Sequence, residues 1–582
     1  MFSCDFETTT REDDCRVWAF ACCEIGRPNN IIYGNSIDDF MKWCAKWDKN
    51  YKCFFHNLKF DGEFIINWLL KNGFEYVENK KDRHDKSFTT LITDMGVWYQ
   101  ITIWFKIQGH HTNKVVIQDS LKILNFSVAE IAKAFDLPLS KLELDYKTFR
   151  EKGHELTPHE IEYIKHDVEI VARALEVMFN QGLDKMTIAS DALDSYKKMT
   201  ARFRQLFPKL EPEVDADIRQ SYKGGFTYVS EKYAGKEVGA GVVLDVNSLY
   251  PSRMLQELMP HGKPEAFEGK YEPDVIYDLY VQKLSCIFEV KPDKIPSIQL
   301  KHSLSFMPNE YLKNSNGQIV TLCLTNPDLE LFFEQYNVDV IEWQGGYKFK
   351  SINGIFNNYI NHWTVQKIQA KKDGNKPMYL IAKLMLNSLY GKFGTGITGR
   401  KKMPVLIGDE VHYAMGEEEK KSGVYLPVAS FITSYARKYT IETSQMIREW
   451  SIKHKGFDAY LYSDTDSIHA NLTESDLQAL CDIIDIDDFR LGAWKHESDF
   501  VRAKFLRQKC YIEQDKEGEI NVTIAGFPKK LAHLVNFDNF NIGFTTEGMT
   551  DEQIGPAGRK LRYKHVEGGV ILVDTDFTLK ST

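Results

Sequence analysis

The chain has 582 residues, of which 43% are hydrophobic and 27% charged, and its net charge is −9. At roughly 150 residues per domain, this composition is typical of a globular protein with several domains. The acidic balance by itself argues against a nucleic-acid binder, a class that usually carries excess Lys and Arg. However, residues 364–408 hold nine Lys or Arg against one acid, a local charge of +8. Because binding depends on where charge lies, this window predicts a surface that faces phosphate.

Other classes are excluded by simple features of the sequence. The longest apolar runs fall far short of the about 20 residues that a membrane helix needs. The N-terminal segment is acidic, unlike a secretory signal. The ten cysteines include no CxxC pair, which favours reduced, mostly buried thiols in a cytoplasm over disulfides or a zinc site.

In chain order, the first part to about residue 182 alternates strands and helices, which predicts an α/β domain. The predicted strands are 17–22, 53–55, 98–104 and 115–117, and the predicted helices are 64–70, 128–135 and 160–178, the last starting at Thr157-Pro158. The polar stretch 184–217 is interpreted as a connection to the second half. There, predicted strands 241–245 and 459–462 are more than 200 residues apart. This spacing indicates a large insertion between strands of one sheet.

Acidic residues of the first half fall on three predicted elements. Asp5 and Glu7 are two apart in a strand and therefore share a face, and Asp61 follows the strand at 53–55. Tyr163 and Asp167 are four apart on one helix face. Singly, each acid reads best as a solvated strand or helix end. Together, they predict a cradle for two divalent cations, the arrangement that phosphodiester hydrolysis needs, with Tyr163 orienting the attacking water.

A second acidic group is predicted in the other half of the chain. Asp245 ends a buried strand, whereas Asp464 and Asp466 lie in a tight turn between two strands. Their convergence at one end of a sheet would hold two Mg²⁺ ions. A second Asp-x-Asp pair, Asp574 and Asp576, has the same local composition as Asp464 and Asp466. Only the pair at 464–466 follows the basic window and has a partner strand, so we prefer it.

Within the basic window, Lys383, Asn387 and Tyr390 recur at i, i+4 and i+7 of a predicted helix and share one face. A cation, an amide and an aromatic ring in a row suit a nucleoside triphosphate. A solvated face with Tyr390 packed in the core remains the alternative. A second cluster, with no acid from 501 to 512, predicts a surface that tracks a nucleic-acid backbone and consists of Lys504, Phe505, Arg507, Lys509 and Tyr511.

These residues resemble the motifs of proofreading DNA polymerases. Three segments resemble the three exonuclease motifs: Asp5-x-Glu7, His56-Asn57-Leu58-Lys59-Phe60-Asp61-Gly62 and Tyr163-Ile-Lys-His-Asp167. The three polymerase motifs of family B are resembled by Asp245-Val-Asn-Ser-Leu-Tyr250-Pro, Lys383-Leu-Met-Leu-Asn387-Ser-Leu-Tyr390-Gly391 and Tyr462-Ser-Asp464-Thr-Asp466-Ser467. Tyr222-Lys-Gly224-Gly225-Phe226 matches a Tyr-x-Gly-Gly linker motif, and Lys509-Cys-Tyr511 a Lys-x-Tyr motif. The amino-acid sequences of these motifs are most similar to those of the protein-primed replicases of small linear-genome bacteriophages, the phi-twenty-nine type.

The resemblance implies an α/β and α+β multidomain fold. An N-terminal ribonuclease-H-like 3′-5′ exonuclease domain would precede a right-hand (palm, fingers, thumb) family B polymerase domain with two insertions. The implied boundaries are 1–184 for the exonuclease, 185–264 and 428–523 for the palm, 265–350 and 394–427 for the insertions, 351–393 for the fingers and 524–582 for the thumb. In relatives, the insertions support terminal-protein binding, strand displacement and processivity.

The resemblance also implies residue roles at the polymerase site. Asp245 and Asp466 would be the principal metal ligands, with Asp464 beside them. The nucleotide site would consist of Ser248, Leu249, Tyr250, Lys367, Lys383, Asn387 and Tyr390. Tyr250 would be the gate against ribose. The pattern leaves open which of Lys371, Lys372 and Lys376 gives a further phosphate contact.

At the exonuclease site, the resemblance implies that Asp5, Glu7, Asp61 and Asp167 hold the metals, with Tyr163 and Lys141 as catalytic partners. The single-stranded 3′ end would be positioned by His56, Asn57, Phe60, Ser120 and Leu121. Further DNA contacts would be made by Tyr222, Gly224, Gly225, Phe226, Thr433 and Arg437, and the primer terminus would be gripped by Lys509 and Tyr511.

The expected function is therefore DNA-directed DNA synthesis with 3′-5′ proofreading, starting on the hydroxyl of a protein. The expected cofactors are two Mg²⁺ ions per site, for which Mn²⁺ can substitute. The expected partners are template and primer DNA, dNTPs and a terminal protein, with no membrane; the polymerase is otherwise expected to be a monomer in the cytoplasm of an infected bacterial cell. On the residues alone, two other functions stay open: an exonuclease whose C-terminal half only holds DNA, and a glycosyltransferase that uses an Asp-x-Asp turn.

Overall fold

The structure is a computed structural model that describes residues 1–47, 49–109, 111–146, 148–299, 311–421 and 423–580. Among these residues, no helix is both long and apolar enough to span a bilayer. The predicted insertions include 300–310 and Ser422, which lie outside the described residues. All ten cysteines are free thiols, and eight of them are buried.

The N-terminal part is an eight-stranded sheet with helices on both faces. Its strands are β1 (Phe2–Thr8), β2 (Val17–Glu24), β3 (Arg27–Gly34), β4 (Tyr51–Phe55), β5 (Glu75–Tyr76), β6 (Ser87–Ile92), β7 (Trp98–Gln108) and β8 (His111–Asp119). Its helices are α1 (Ile37–Cys44), α2 (Leu58–Lys71), α3 (Val128–Ala134) and α4 (Pro158–Asn180). The strand order is β3-β2-β1-β4-β8-β7-β6-β5. The strands and helices predicted for this part are all present.

Strand β2 shows why this sheet is covered on both faces. Nearly all of its residues are buried, as expected for a continuous apolar run. Cys22 packs in one cluster with Phe40 of α1, whereas Ala21 packs in another with Val168 of α4. The two covering helices therefore fix the position of β1, which lies beside β2.

Helix α4 begins where the sequence predicts. The Thr157 side chain accepts a hydrogen bond from the Glu160 N–H, and the Glu160 carboxylate accepts one from the Thr157 N–H. Pro158 occupies the first helical position, where its missing N–H costs nothing. This capping box sets the register of the helix that carries Tyr163 and Asp167.

The stretch 184–217 is not the polar connection that its charge predicts. It folds into three helices, α5 (Ile188–Met199), α6 (Phe203–Leu206) and α7 (Pro212–Arg219). Tyr196 and Phe207 are almost completely buried and contact the ring of Phe393. The sequence conceals this packing because the partner ring is far along the chain and polar residues separate the buried positions.

The second half contains the remaining elements. Its strands are β9 (Thr227–Val229), β10 (Glu237–Val238), β11 (Gly241–Val246), β12 (Met259–Phe267), β13 (Leu279–Val290), β14 (Val320–Thr325), β15 (Tyr336–Ile352), β16 (Thr398–Gly399), β17 (Lys402–Ile407), β18 (Glu410–Met415), β19 (Glu419–Lys420), β20 (Tyr460–Asp464), β21 (Ser467–Ala470), β22 (Trp494–Phe500), β23 (Arg502–Arg507), β24 (Cys510–Gln514), β25 (Ile520–Ile524), β26 (Lys560–Val566) and β27 (Gly569–Thr575). Its helices are α8 (Leu249–Gln256), α9 (Asn326–Gln335), α10 (Asn357–Lys372), α11 (Lys376–Phe393), α12 (Leu426–Lys455), α13 (Glu474–Leu480) and α14 (Asp551–Ile554). Short 3-10 helices are Lys80–Asp82, Ser120–Lys122 and Lys529–Leu534.

A five-stranded sheet of order β22-β11-β21-β20-β9 is the centre of this half. Strands β11 and β20 therefore lie in one sheet, as predicted from the sequence. The chain between them forms a second sheet, β12-β15-β13-β14, the helices α8 to α12, and two small two-stranded sheets, β16-β19 and β17-β18.

The C-terminal part makes two separate contacts with the rest of the chain. The sheet β10-β23-β24-β25 lies next to the central sheet. The hairpin β26-β27 instead packs on the N-terminal domain: the Cys15 thiol lies 3.7 Å from the Val570 carbonyl oxygen, and the Lys71 ammonium pairs with Glu567 at 2.8 Å. This hairpin consequently lies beside the first acidic site.

Candidate active sites

The first acidic site lies where strand β1 meets helices α2 and α4. Carboxylate oxygens of Asp5, Glu7 and Asp167 all lie within 4.8 Å of one another. Asp61, near the start of α2, is almost completely buried. One oxygen each of Asp61 and Asp167 is buried without a hydrogen-bond partner in the described part of the chain. Unpartnered carboxylate oxygens are the donors that hard divalent cations take.

Electrostatics at this site also favour a bound cation. Burial, followed by the proximity of Asp167, raises the pKa of Asp5 to about 7. Burial and then the charge of Asp5 raise the pKa of both Glu7 and Asp61. Since crowded carboxylates disfavour one another's charged form, a cation between them relieves a penalty that the fold imposes. The donor set therefore fits divalent metal ions.

Lys141 and Tyr163 lie at this site as predicted. The Lys141 ammonium donates a hydrogen bond to Asp167. Burial alone would lower the pKa of Lys141, but the charge of Asp167, its hydrogen bond and the charge of Asp5 together outweigh burial, and the pKa is raised. The Tyr163 hydroxyl is hydrogen-bonded to that of Tyr146. Tyr146 is a site residue that sequence reasoning missed, because a single Tyr in a polar stretch carries no periodic signal.

The residues predicted to hold a single-stranded 3′ end divide into two groups. Asn57 and Phe60 line a cavity together with the acids. Ser120 is fully buried, and its hydroxyl is hydrogen-bonded to the His56 Nδ1 at 3.0 Å and lies 3.1 Å from the Phe55 carbonyl oxygen. Ser120 therefore orients His56 and does not face the cavity itself. Leu121, half-buried, donates its backbone N–H to the Asp119 carboxylate, which also accepts from the Asn57 N–H.

The cavity has a volume of about 1080 Å³ and is closed on one side by the C-terminal hairpin β26-β27. The Asn57 amide donates to the Tyr563 hydroxyl at 3.3 Å. Asp574 of the second Asp-x-Asp pair also lines this cavity, while Asp576 accepts from Arg559 at 2.7 Å. The pair that composition alone could not exclude therefore lies beside the first acidic site, away from the second.

The second acidic site lies at one end of the five-stranded sheet. Asp245 on β11 is opposite Ser467 on β21, and the turn between β20 and β21 carries Asp464 and Asp466. The Val246 N–H donates to the Asp466 carbonyl at 2.8 Å, which ties the turn to the end of β11. The structure therefore brings the three predicted acids together.

The three acids differ in their surroundings. Burial, followed by the charge of Asp466, raises the pKa of Asp245 to about 7. Burial and then Asp464 raise the pKa of Asp466. Asp464, in contrast, accepts hydrogen bonds from the Lys509 ammonium at 2.8 and 2.9 Å. A bound cation would thus offset the electrostatic penalty on ionised Asp245 and Asp466, whereas Asp464 already faces the Lys509 ammonium.

Helix α11 presents the predicted face of Lys383, Asn387 and Tyr390. Lys383 and Asn387 are exposed and Tyr390 is half-buried, whereas the opposite face packs into the core. The ring of Tyr390 stacks on that of Tyr250, with centroids 4.1 Å apart. Ser248, at φ +58°, ends the turn after β11 and allows Leu249 and Tyr250 to begin helix α8. The face consequently points at the second acidic site.

Three lysines from helices α10 and α11 lie close together. Burial, followed by the charges of Lys383 and Lys371, lowers the pKa of Lys367. Lys376 instead pairs with Asp136 of the N-terminal domain at 2.8 Å. Of the three candidates left open by the sequence, Lys371 is therefore the one that joins Lys367 and Lys383.

The Tyr-x-Gly-Gly segment lies against the acidic turn. The Phe226 carbonyl accepts from the Thr465 N–H at 2.6 Å, and a Cβ on Gly225 would lie 2.6 Å from the Thr465 hydroxyl. A Cβ on Gly224, in contrast, would meet open space, and the Gly224 carbonyl accepts a hydrogen bond from Arg437. Glycine at 225 is thus required by the close approach of the two segments.

Three residues predicted to contact DNA are not on a surface. Arg437 is 3% exposed and donates to Asp328 and to the carbonyls of Lys223 and Gly224, so it supports the Tyr-x-Gly-Gly segment from inside. Thr433 is 2% exposed and bonds to its own helix. Their positions in α12, which is buried over much of its length, explain the difference. Phe226 is likewise a core residue.

The basic residues predicted at 504–511 do not form one continuous surface, because Lys504 is buried. Lys504 is buried and donates to the Asn541 side chain, and Arg507 donates to the Lys580 carbonyl. Lys509 occupies the turn between β23 and β24 and is the one that reaches Asp464, while Tyr511 lies near the ring of Tyr462. Strand alternation sends neighbouring basic residues in different directions.

Comparison with known proteins gives a consistent result over the full chain. A family model described as DNA polymerase type B, organellar and viral, matches residues 46–154 and 147–480. The DNA polymerase of Bacillus phage Nf is 44% identical over 600 residues and that of Bacillus phage phi29 is 42% identical over 604 residues, each match covering 100% of this chain and 99% of the relative. The solved structure of phi29 DNA polymerase complexed with primer-template DNA and incoming nucleotide substrates matches at a TM-score of 0.90 and 41% identity, covering 100% of both chains.

Proposed function

The chain belongs to the type B DNA polymerases of organelles and viruses and is a DNA polymerase of the phi29 type, and we propose that it synthesises and proofreads DNA at two separate metal sites. Neither the nuclease-only function nor the glycosyltransferase function accounts for this membership. The multidomain fold expected from the sequence agrees with the match to phi29 DNA polymerase.

One observation carries the proposal of two activities. The chain holds two clusters of carboxylates in two different sheets, one around β1 and one between β11 and β20. In each cluster, burial and a neighbouring acid raise the pKa of an aspartate, Asp5 or Asp245, to about 7. Such perturbed groups are typical of catalytic sites.

At the second site, Asp245 and Asp466 would hold two divalent cations, proposed to be Mg²⁺, with Asp464 beside them. Bound cations there would lower the pKa of the priming hydroxyl and stabilise the charge of the transferred phosphoryl group. Lys383, Lys367 and Lys371 bind the triphosphate with their ammonium groups. The rings of Tyr250 and Tyr390 contact the sugar and base, and Lys509 holds Asp464 in place next to the primer end.

At the first site, Asp5, Glu7, Asp61 and Asp167 would hold the cations for hydrolysis of a mispaired 3′ end. Lys141 orients the Asp167 carboxylate, and Tyr163 positions the attacking water through its hydroxyl. Asn57, Phe60 and His56 bind the single-stranded end in the 1080 Å³ cavity. The acidic side chains that line this cavity are the four proposed metal ligands and three residues of the C-terminal segment. All its other lining side chains are neutral or basic.

The further proposals rest on likeness to the phi29 type. The polymerase starts synthesis on the hydroxyl of a terminal protein, displaces the non-template strand as it advances, and acts in the cytoplasm of the infected bacterial cell, as a monomer apart from the terminal protein. The segments 265–350 and 394–427 would support these functions. The relative phi29 DNA polymerase has been solved with primer-template DNA and with single-stranded DNA, which supports both as ligands of this chain.

Single-site variants test the division of activities. Asp245→Ala or Asp466→Ala should abolish nucleotide addition to a primed template and leave degradation of single-stranded DNA intact. Asp5→Ala combined with Asp61→Ala should have the reverse effect. Equal loss of both activities in either variant would contradict the two-site proposal, provided that the variant unfolds at the wild-type temperature.

Protein priming needs its own experiment. The polymerase is incubated with labelled dATP, Mg²⁺ and a candidate terminal protein, with no DNA primer. Covalent label on the terminal protein supports priming, and the Asp466→Ala variant should give none. No label on the terminal protein, together with labelled DNA in a parallel reaction that contains a primed template, would leave DNA synthesis in place and remove priming from the proposal.

A further inference from the structure

The segment from Arg219 to Thr227 touches both halves of the polymerase site. At one end, the Thr227 hydroxyl donates to the Asp464 carboxylate at 3.1 Å, and Phe226 accepts from Thr465 as described above. At the other end, the Arg219 guanidinium donates to the carbonyl oxygens of Gly394 at 3.1 Å and Thr395 at 3.2 Å. Gly394 is the C-cap of helix α11. The segment therefore spans from the acidic turn to the end of the nucleotide helix.

A second ion pair, within helix α7, fixes the orientation of the Arg219 guanidinium. Its Nε donates to the Asp215 carboxylate at 2.8 Å, one turn earlier on helix α7, and Asp215 is 3% exposed. A cation at a helix C-terminus interacts favourably with the unpaired carbonyls and the helix dipole. Because the Asp215 pair fixes its orientation, Arg219 offers α11 an anchor in a defined position.

The same end of α11 also lies against Tyr222 of this segment. A Cβ at Gly394 would lie 2.6 Å from the Tyr222 hydroxyl oxygen and 2.7 Å from the adjoining ring carbon. The helix end thus contacts both the Arg219 guanidinium and the Tyr222 ring. Both contacts come from the segment that also touches the acidic turn.

We infer that Arg219 is a positioning residue for nucleotide binding: it fixes the C-terminal end of α11 and thereby places the Lys383, Asn387 and Tyr390 face relative to the acidic turn. This inference rests on the proposed nucleotide site. Lys383 is eleven residues from Gly394, about 16 Å along a helix. A tilt of about 5° at the anchored end would therefore move Lys383 by roughly 1.4 Å. Displacements of this size at a reacting group lower rates by up to about 100-fold.

The test compares nucleotide use with nuclease activity in the full chain. Arg219→Ala should raise the KM for dNTP about 5- to 20-fold with a smaller change in kcat, since the displaced groups bind the triphosphate. Degradation of single-stranded DNA should not change. Arg219→Lys, which keeps the cation and loses the fork, should restore part of the KM. Gly394→Ala displaces the same helix end without touching Arg219 and should raise the KM as well.

Two controls separate the possible outcomes. Arg173→Ala removes an equivalent helix pair with Glu169, whose oxygen lies 2.8 Å from the Arg173 Nε, and should leave the KM unchanged. Lys383→Ala tests the proposed nucleotide site itself. If Lys383→Ala raises the KM but neither Arg219→Ala nor Gly394→Ala does, this inference is wrong and the site stands. If Lys383→Ala has no effect, the proposed site fails. A parallel loss of both activities in Arg219→Ala and Gly394→Ala would also overturn the inference, because it would indicate a general structural role.

Discussion

The rings of Tyr250 and Tyr390 stack on each other with their centroids 4.1 Å apart and their planes 26° from parallel. Tyr250 comes from the helix that follows β11, and Tyr390 comes from α11, so the stack joins the acidic end of the sheet to the basic helix. A nucleotide cannot occupy the space between rings at this distance. In the proposed nucleotide site, the stacked pair therefore forms a wall that a dNTP contacts from one side.

Tyr250→Ala should weaken discrimination against ribonucleotides. The Tyr250 ring fills space beside the expected sugar position, and its removal leaves room for a 2′-hydroxyl. The ratio of kcat/KM for rATP to that for dATP should rise roughly 10- to 200-fold. Tyr250→Phe keeps the ring and should retain wild-type discrimination. An unchanged ratio in Tyr250→Ala would exclude Tyr250 as the ribose gate.

Lys141→Ala should impair proofreading alone. Lys141 donates to Asp167, and loss of a partner that orients a metal ligand typically reduces activity about 10- to 100-fold. Degradation of a labelled single strand measures this effect, and extension of a matched primer should remain at the wild-type rate. Lys141→Arg preserves the ion pair and should lose less activity. A loss of primer extension of the same size would contradict the assignment of Lys141 to the first site.

Lys509→Ala should impair synthesis alone. The Lys509 ammonium bridges both oxygens of Asp464, so its removal leaves this carboxylate with hydroxyl donors such as Thr227 and without the cation that orients it. Primer extension should fall about tenfold or more, whereas single-strand degradation should not. Lys509→Arg, which can still pair with Asp464, serves as the matched comparison. Equal effects of Lys509→Ala on both activities would argue against this role.

The metal-free protein should lose stability as pH rises from about 4 to about 7. In this range the folded protein binds more protons than the unfolded chain, because burial raises the pKa of Asp5 from 3.8 to about 7. The free energy of unfolding therefore falls with increasing pH across the window. Thermal unfolding at several pH values checks this, with Asp5→Asn expected to show a weaker dependence. Added Mg²⁺ should raise the unfolding temperature most at the upper end, where the acids are ionised.

The local parts of both sites could be predicted from the sequence. Asp5 and Glu7 share a strand face, Tyr163 and Asp167 a helix face, and Lys383 and Asn387 another, because strand and helix periodicities depend only on spacing. The motif resemblance then supplied the order in which these elements belong together. Periodicity and motif order were sufficient for the elements that carry the acids.

The parts that failed depend on contacts between distant segments. Arg437 is buried because it reaches Asp328 and the Tyr-x-Gly-Gly carbonyls, and Lys504 because it reaches Asn541. A sequence does not show whether a Lys or Arg side chain is buried or solvated, because the difference depends on an acceptor from a distant segment. For the same reason Tyr146 and Arg219 could not be selected, although each contacts a predicted element.

The contact between the hairpin β26-β27 and the N-terminal domain has a consequence for synthesis of the chain on the ribosome. The N-terminal sheet is complete once about residue 182 has emerged, but the cavity wall formed by Tyr563 and Ile571 is not yet made. At roughly 5–20 residues per second, translation to residue 570 takes about 20 to 80 s more. The cavity at the first acidic site therefore gains this wall only after the second half of the chain has been translated, so its final shape depends on the last segment to leave the ribosome.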